Sequence, residues 1–341
     1  MKSWSQRTGV FLVVALLAGT LAYLPGLWGP FVFDDKPNLL GNAFVHLDAL
    51  DWSSLRNAAF SNQSGVFHRP IASLSFALNY YAAGGFASFP FKLTNLVIHI
   101  LNGLLVFFLL RLICARLFET STEGGTPDYA GMLPLVVTAF WLLHPLQLTS
   151  VLYVVQRMNS LSAFFTLGGL LLFMHGRRRM ESGLGGGLAI MFAGVVGGTA
   201  LGVLCKENAA LLPLYALVLE LACFGGFAPD NSRRVQIRCF FLVVLGLPAM
   251  AAVGYAIANP DFVLGPYQSR TFSLDERVMT QPRVLFYYTG LSLFPSRHTL
   301  SLYHDDFVVS TGLLEPATTL IAIAGWVLVL VLSFRFRRRY P

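Results

Sequence analysis

Apolar runs near the ~20 residues that cross a bilayer as a helix recur along this chain, and they leave few folds open. They lie near 9–27, 90–113, 131–150, 158–175, 184–204, 208–227, 239–258 and 314–334. A transmembrane β-barrel would instead show short segments of alternating polarity. Only 12% of residues are charged, against roughly 25% in soluble domains, and mean hydropathy is +0.63. The expectation is an all-α integral membrane protein: one domain over 1–341, about eight spans, and further helices at the outer surface. The first run follows Lys2 and Arg7 without a convincing cleavage site, so it is expected to remain as a span.

The polar connections set the topology. Fourteen of the 24 lysines and arginines fall at alternate ends of the runs: Lys2, Arg7, Arg111, Arg116, Arg177–Arg179, Arg233, Arg234, Arg238, Arg335 and Arg337–Arg339. By the positive-inside rule these ends and the N-terminus are cytoplasmic. The net charge of +7 is then mainly a topology signal, and nucleic-acid binding loses its main support. The longer loops, about 34–89 and 259–313, face outward. Within them, 69–85 and 281–295 are apolar but short, which suits surface helices anchored by Tyr80, Tyr81, Tyr287 and Tyr288. Gly194, Gly198 and Gly202 form a small-residue face for close helix packing. Cys114, Cys205, Cys223 and Cys239 lie in or beside apolar runs and imply no disulfide framework.

The candidates for chemistry gather at the outer ends. Asp34 and Asp35 follow the first run, where one carboxylate can act as general base towards a hydroxyl; a solvated turn is the plain alternative. His68-Arg69-Pro70 opens the first surface helix, and an arginine fork there matches a phosphate, or else reaches lipid headgroups. His144-Pro145 is expected to break a helix, and Gln156-Arg157 then begins the next span. Lys206-Glu207 interrupts an apolar stretch as an outer turn, and Gln281 and Arg283 begin the last surface helix. His304, Asp305 and Asp306 are a weak metal signal, and no metal or cofactor is expected. No Walker, Rossmann, HExxH or GxSxG pattern is present, so an activated substrate must arrive ready-made, as a lipid-linked phosphate would.

In order, FVFDDKPNLL, FHRPIASLSFALNY, FKLTNLVIHILNGLLVF, HPLQLTSVLYVVQRMNSLSA, CKENAALLPLYALVLE and RVMTQPRVLFYYTGLSLFPSRHTLSL resemble the membrane half of a known family. It is that of the transmembrane-and-tetratricopeptide-repeat (TMTC) O-mannosyltransferases and their bacterial relatives. More distantly, the pattern is similar to protein O-mannosyltransferases of the GT-C fold. The resemblance covers roughly residues 8–335. It implies a GT-C-like bundle in a bacterial inner membrane, taking a polyprenyl-phosphate-linked sugar and a protein or glycan acceptor on the extracytoplasmic side. The longer relatives continue into further spans and repeats, while this chain stops at Pro341, which leaves a fragment, a short family member and a version served by a separate repeat-containing partner as the alternatives. Carried over by position, Asp34 or Asp35 is the base. Arg69, Arg157, Lys206 and Arg283 hold the donor phosphate, with His68, Gln156, Glu207 and Gln281 in support. An inverting glycosyl transfer is the leading expectation. A lipid-linked-sugar flippase and a non-catalytic assembly subunit are the alternatives.

Overall fold

The computed structural model describes residues 2–121, 128–225, 231–296, 300 and 307–336. His304, Asp305, Asp306 and the basic tail Arg337–Arg339 lie outside them. The described residues are mostly helical, with no strand among them, as the all-α expectation requires. The chain divides into two compact units, Met1–Val244 and Leu245–Pro341.

The first unit contains α1 (Lys2–Tyr23), α2 (Trp52–Ala59), α3 (Pro70–Ala83), α4 (Ser88–Ser121), α5 (Asp128–Leu143), α6 (Leu148–Leu152) and α7 (Arg157–Glu181). It continues with α8 (Gly187–Phe192), α9 (Gly198–Val203), α10 (Leu212–Cys223) and α11 (Asn231–Phe241). The second contains α12 (Leu247–Ala258), α13 (Pro260–Leu264), α14 (Leu274–Leu293) and α15 (Thr318–Phe336).

Among the described residues, five helical stretches are long and apolar enough to cross a membrane: Thr8–Trp28, Ser88–Phe118, Val154–Glu181, Asn231–Ala258 and Thr318–Phe336. A sixth is the pair Gly131–Leu143 and Pro145–Leu152, bent by 52°. The bend sits at His144-Pro145, as the sequence suggests. The imidazole Nδ1 of His144 accepts from the Leu146 N–H at 3.3 Å, and the Leu142 carbonyl accepts from Tyr23 Oη (3.0 Å) and lies 3.1 Å from His99 Nε2. Side chains from α1 and α4 thus satisfy a carbonyl that an ending helix leaves orphaned.

The remaining two of the eight expected spans are shorter. Gly187–Val203 is apolar and helical but reaches only about 25 Å at 1.5 Å per residue. It is followed by the extended Lys206, a 3-10 turn over Glu207–Leu211, and the 12-residue α10. The glycine face works as expected. A methyl added at Gly194 would lie 2.8 Å from the Gly169 carbonyl, and one at Gly198 would lie 2.9 Å from the Phe165 carbonyl, both on α7. Gly176 and Gly187 meet in the same way. Backbones approach here at distances that any side chain would forbid.

Among the described residues, a small core of Tyr23, Leu27, Leu96 and Val151 and two larger ones fill the first unit. One of the larger two surrounds α7 with Phe173, Met174, Met191, Leu212, Ala216 and Phe240. Here Arg177, counted only as a topology charge in the sequence, is fully buried and forms a two-pronged pair with Glu220 (2.9 and 3.2 Å). The other core folds the first long loop, through Leu39, Val45, Leu47 and Ala58, onto Phe76, Phe91, Val154 and Met158. That loop is a packed cap over the starts of α4 and α7.

In the second unit, α14 begins at Leu274, seven residues before the expected helix start at Gln281. The reason is a capping box: Ser273 accepts from the Glu276 N–H while the Glu276 carboxylate accepts from the Ser273 N–H.

Candidate functional site

The start of α7 organises the first unit's candidates. Asp35 is fully buried. Its Oδ1 accepts from the Val155 N–H (2.7 Å), and its Oδ2 accepts from the N–H groups of Val32 (3.1 Å) and Val154 (3.4 Å). Val154 and Val155 open the helical stretch Val154–Glu181, so a carboxylate from 119 positions away caps a helix N-terminus, where the backbone favours negative charge. Burial pushes the Asp35 carboxyl above its ordinary range, while these N–H donors and the nearby Lys92 pull it back.

Lys92 makes the complementary contact. Its buried ammonium donates to the carbonyls of Gly29 (2.9 Å), Pro30 (3.1 Å) and Gly26 (3.5 Å), at the C-terminal end of the Thr8–Trp28 stretch. Cation and anion therefore each sit at the helix end that suits them. Lys92 was not singled out in the sequence, because inside an apolar run it reads as a lone interfacial lysine.

Arg157 is also completely buried. Its Nε donates to Asn95 Oδ1 (2.8 Å), its Nη1 to the Ser75 carbonyl (3.1 Å), and its Nη2 to Asn79 Oδ1 (2.7 Å) and the Phe91 carbonyl (2.8 Å). The guanidinium lies 4.7 Å from the centre of the Phe76 ring. Four of its five N–H donors are engaged by α3 and α4. The side chain expected to hold a donor phosphate is instead the joint of three helices. Gln156, beside it, accepts from Asn159 through its side-chain oxygen.

Asp34 differs from its neighbour. It is exposed, its N–H donates to Tyr153 Oη (3.0 Å), and its carbonyl accepts from Asn38 Nδ2 (2.9 Å). Burial, with the nearby aspartates adding to it, raises the Tyr153 phenol to about 12. Tyr153 therefore stays protonated beside the Asp34 carboxylate.

Arg69 and Glu207 form a fork pair, Nη2–Oε2 at 3.0 Å and Nε–Oε1 at 3.3 Å, both half-buried. Arg69 Nη1 also reaches Met158 Sδ at 3.5 Å. Gly65, at φ 80°, lets the loop pass so close to Glu207 that a side chain there would collide with the carboxylate. Exposed His68 has its Nδ1 2.8 Å from the Asn62 carbonyl. Lys206 stands next to the pair, and its carbonyl accepts from Ser162 Oγ (3.2 Å). Burial, then the nearby Arg69 charge, lowers the Lys206 ammonium below its ordinary range, against a pull from Glu207. Glu207 thus pairs directly with Arg69, and its charge also acts on the neighbouring Lys206.

Six of the first unit's candidates touch or occupy one short stretch, Tyr153 to Ser162, which Glu207 joins through Arg69 while His68 meets Asn62. Asp34 meets Tyr153, Asp35 meets Val154 and Val155, Arg69 meets Met158, and Lys206 meets Ser162. The described non-glycine residues with left-handed backbone are Phe33 (φ 46°), His68 (φ 55°) and Arg69 (φ 48°), each within or next to this set. Such conformations cost on the order of 1–3 kcal/mol each and cluster at working sites.

Gln281 and Arg283 belong to the second unit. Arg283 Nη1 donates to the Val308 carbonyl (2.8 Å) and to Ser310 Oγ (3.1 Å), which occupies it within that unit. Gln281 lines a cavity of about 360 Å³ with Arg277, Phe272, Tyr287 and Phe307. Among the described residues, no group of three or more His, Cys, Asp or Glu is arranged to hold a metal ion.

No family model matches the chain, and no solved structure matches it. Curated relatives do. The chain is 30% identical to Protein O-mannosyl-transferase Tmtc2 of Drosophila melanogaster over 235 residues, 65% of this chain and 23% of that protein. It is 29% identical to Protein O-mannosyl-transferase TMTC4 of Mus musculus over 147 residues, 41% of this chain and 19% of the relative. To TMTC4 of Homo sapiens it is 26% identical over 209 residues, 58% of this chain and 27% of the relative. It thus spans roughly a fifth to a quarter of the length of the curated relatives it matches.

Proposed function

We propose that this TMTC-like chain is a membrane glycosyltransferase of GT-C type, moving a sugar from a polyprenyl phosphate to a hydroxyl on an extracytoplasmic protein or glycan. The carrying observation is that the exposed Asp34 at Tyr153, the cation Arg69 at Met158 and Lys206 at Ser162 are strung along the one stretch Tyr153 to Ser162. The relatives' names as O-mannosyl-transferases support the reaction class.

In this reading Asp34 takes the proton from the acceptor hydroxyl. The acceptor oxygen bonds to the anomeric carbon from the face opposite the carrier, and the bond from that carbon to the phosphate oxygen breaks with inversion. The electron pair leaves on the polyprenyl phosphate, whose added charge Arg69 and Lys206 stabilise. Fixed cations in a site partly removed from water do this better than bulk solvent. Glu207 holds the Arg69 fork in place, and a phosphate arriving there draws the Lys206 ammonium back up. Asp35, Lys92 and Arg157 position this machinery.

The test uses the chain in lipid nanodiscs with mannosyl phosphoryl polyprenol and a serine- and threonine-containing peptide. Asp34→Asn is expected to lose 10²- to 10⁴-fold in transfer rate while keeping the wild-type melting temperature. Undiminished transfer by Asp34→Asn would remove the base. Binding of the donor without transfer in the wild type, coupled to its movement between leaflets, would replace the enzyme with a flippase.

A further inference from the structure

Helix α2, in the cap over the starts of α4 and α7, divides its residues between two faces. Leu55 and Ala58 turn inward, and Ala58 is fully buried in the core that also holds Phe91 and Met158. Trp52, Arg56 and Phe60 follow one another at intervals of four and fall within about 80° of the helix surface, on the other side. All three are exposed, Trp52 by 80% and Phe60 by 58%. Phe44, also 58% exposed, stands beside Arg56 and Phe60. With them and with Asn57 and Ser61 it lines a cleft of about 510 Å³.

The inner face sets the depth of α2. Phe91 is the fourth residue of the Ser88–Phe118 stretch, and Val154, in the same core, is the first of Val154–Glu181. Packed helices lie about 8–10 Å apart, so the α2 axis runs within about 10 Å of these span ends. Side chains extend about 5–6 Å from a helix axis. The headgroup layer adds about 5–8 Å to each side of the hydrocarbon core, so the exposed stripe reaches it. Its composition suits that place. Tryptophan rings favour the headgroup level, and a guanidinium fork between two aromatic rings matches a lipid phosphate. The sequence points instead to α3 as the surface helix of this loop. There Tyr80, expected as an anchor, is half-buried with its ring 5.3 Å from that of His46.

We propose that α2 rests on the leaflet at the Asp34 end of the spans. Trp52, Phe60 and Phe44 enter the headgroup layer, and Arg56 binds a lipid phosphate in the cleft between Phe44 and Phe60. The lipid surface thus holds the cap from outside, while its inner face packs on α4 and α7. This contact does not depend on the proposed transfer reaction.

Site-specific fluorescence of the full chain in phosphatidylcholine nanodiscs tests it. With the native cysteines replaced by alanine, Trp52→Cys and Phe60→Cys each carry a nitrobenzoxadiazole label; both positions are exposed, so labelling leaves the core intact. Aqueous iodide is expected to quench either label about threefold less than the same label on free cysteine in water, and phosphatidylcholine bearing a nitroxide on its upper acyl chain is expected to quench both. Arg56→Glu combined with Phe60→Cys is expected to lose about half of the quenching by the nitroxide lipid. Unchanged quenching in that variant overturns the phosphate contact. Labels at 52 and 60 that iodide reaches as freely as the free cysteine conjugate overturn the proposal as a whole. If a serine- and threonine-containing peptide then shields them, the face belongs to a polypeptide and not to lipid.

Discussion

Asp34 and Asp35 are adjacent in sequence and opposite in circumstance: one meets water, the other meets three backbone N–H groups. Asparagine at 35 keeps one acceptor oxygen and turns an N–H₂ towards donors, so buried groups lose their partners. Asp35→Asn is expected to destabilise the chain by about 1–3 kcal/mol, read as a lower melting temperature in detergent. The pH dependence has a definite sign. The folded carboxyl titrates above its ordinary value of 3.8, so the folded state holds the proton more tightly. As pH falls through the folded titration point towards 3.8, the wild type should gain stability relative to Asp35→Asn. Melting curves of both proteins across that window check this, and a gap that widens in favour of Asp35→Asn would contradict it. The sequence brings both carboxylates to the site but cannot separate them, because two of the three partners of Asp35 lie about 120 residues away.

Among elements, α7 is the hub, and two of its features carry separate predictions. Arg157 holds α3 and α4 through four acceptors, so Arg157→Ala is expected to cost about 3–5 kcal/mol. Arg157→Lys should not restore it, since an ammonium lacks the planar fork. Thermal unfolding of both variants would show this; a lysine variant of wild-type stability would refute the joint. At the glycine face, Gly194→Ala forces the α7 backbone away and should cost about 1–3 kcal/mol by the same measurement. The elements themselves were largely legible. Apolar length marked the spans, His144-Pro145 the bend, and glycine spacing the close packing. The start of α14 was missed although SLDE, residues 273–276, carries the serine and glutamate of a capping box. What periodicity does not contain is whether a charge faces in or out, so Arg157 read as a ligand-binding cation and Arg177 as a surface one.

At the scale of the whole molecule, the charge asymmetry predicts which ends meet the cytoplasm. With the native cysteines replaced by alanine, Ser64→Cys should react with an impermeant maleimide on intact cells. Ser182→Cys should react only after permeabilisation; both positions are exposed. The reverse pattern would invert the topology and move the proposed transfer site to the cytoplasm. The cap formed by Asp35 also bears on biogenesis. A ribosome adding about 5–20 residues per second makes Asp35 well before Val155 exists. For on the order of ten seconds the nascent carboxylate has no helix end to join, and hydration is its cheapest refuge. Insertion of the seventh helix thereby becomes the event that draws the first loop down, so a chain interrupted before residue 154 would carry its would-be catalytic loop unfastened.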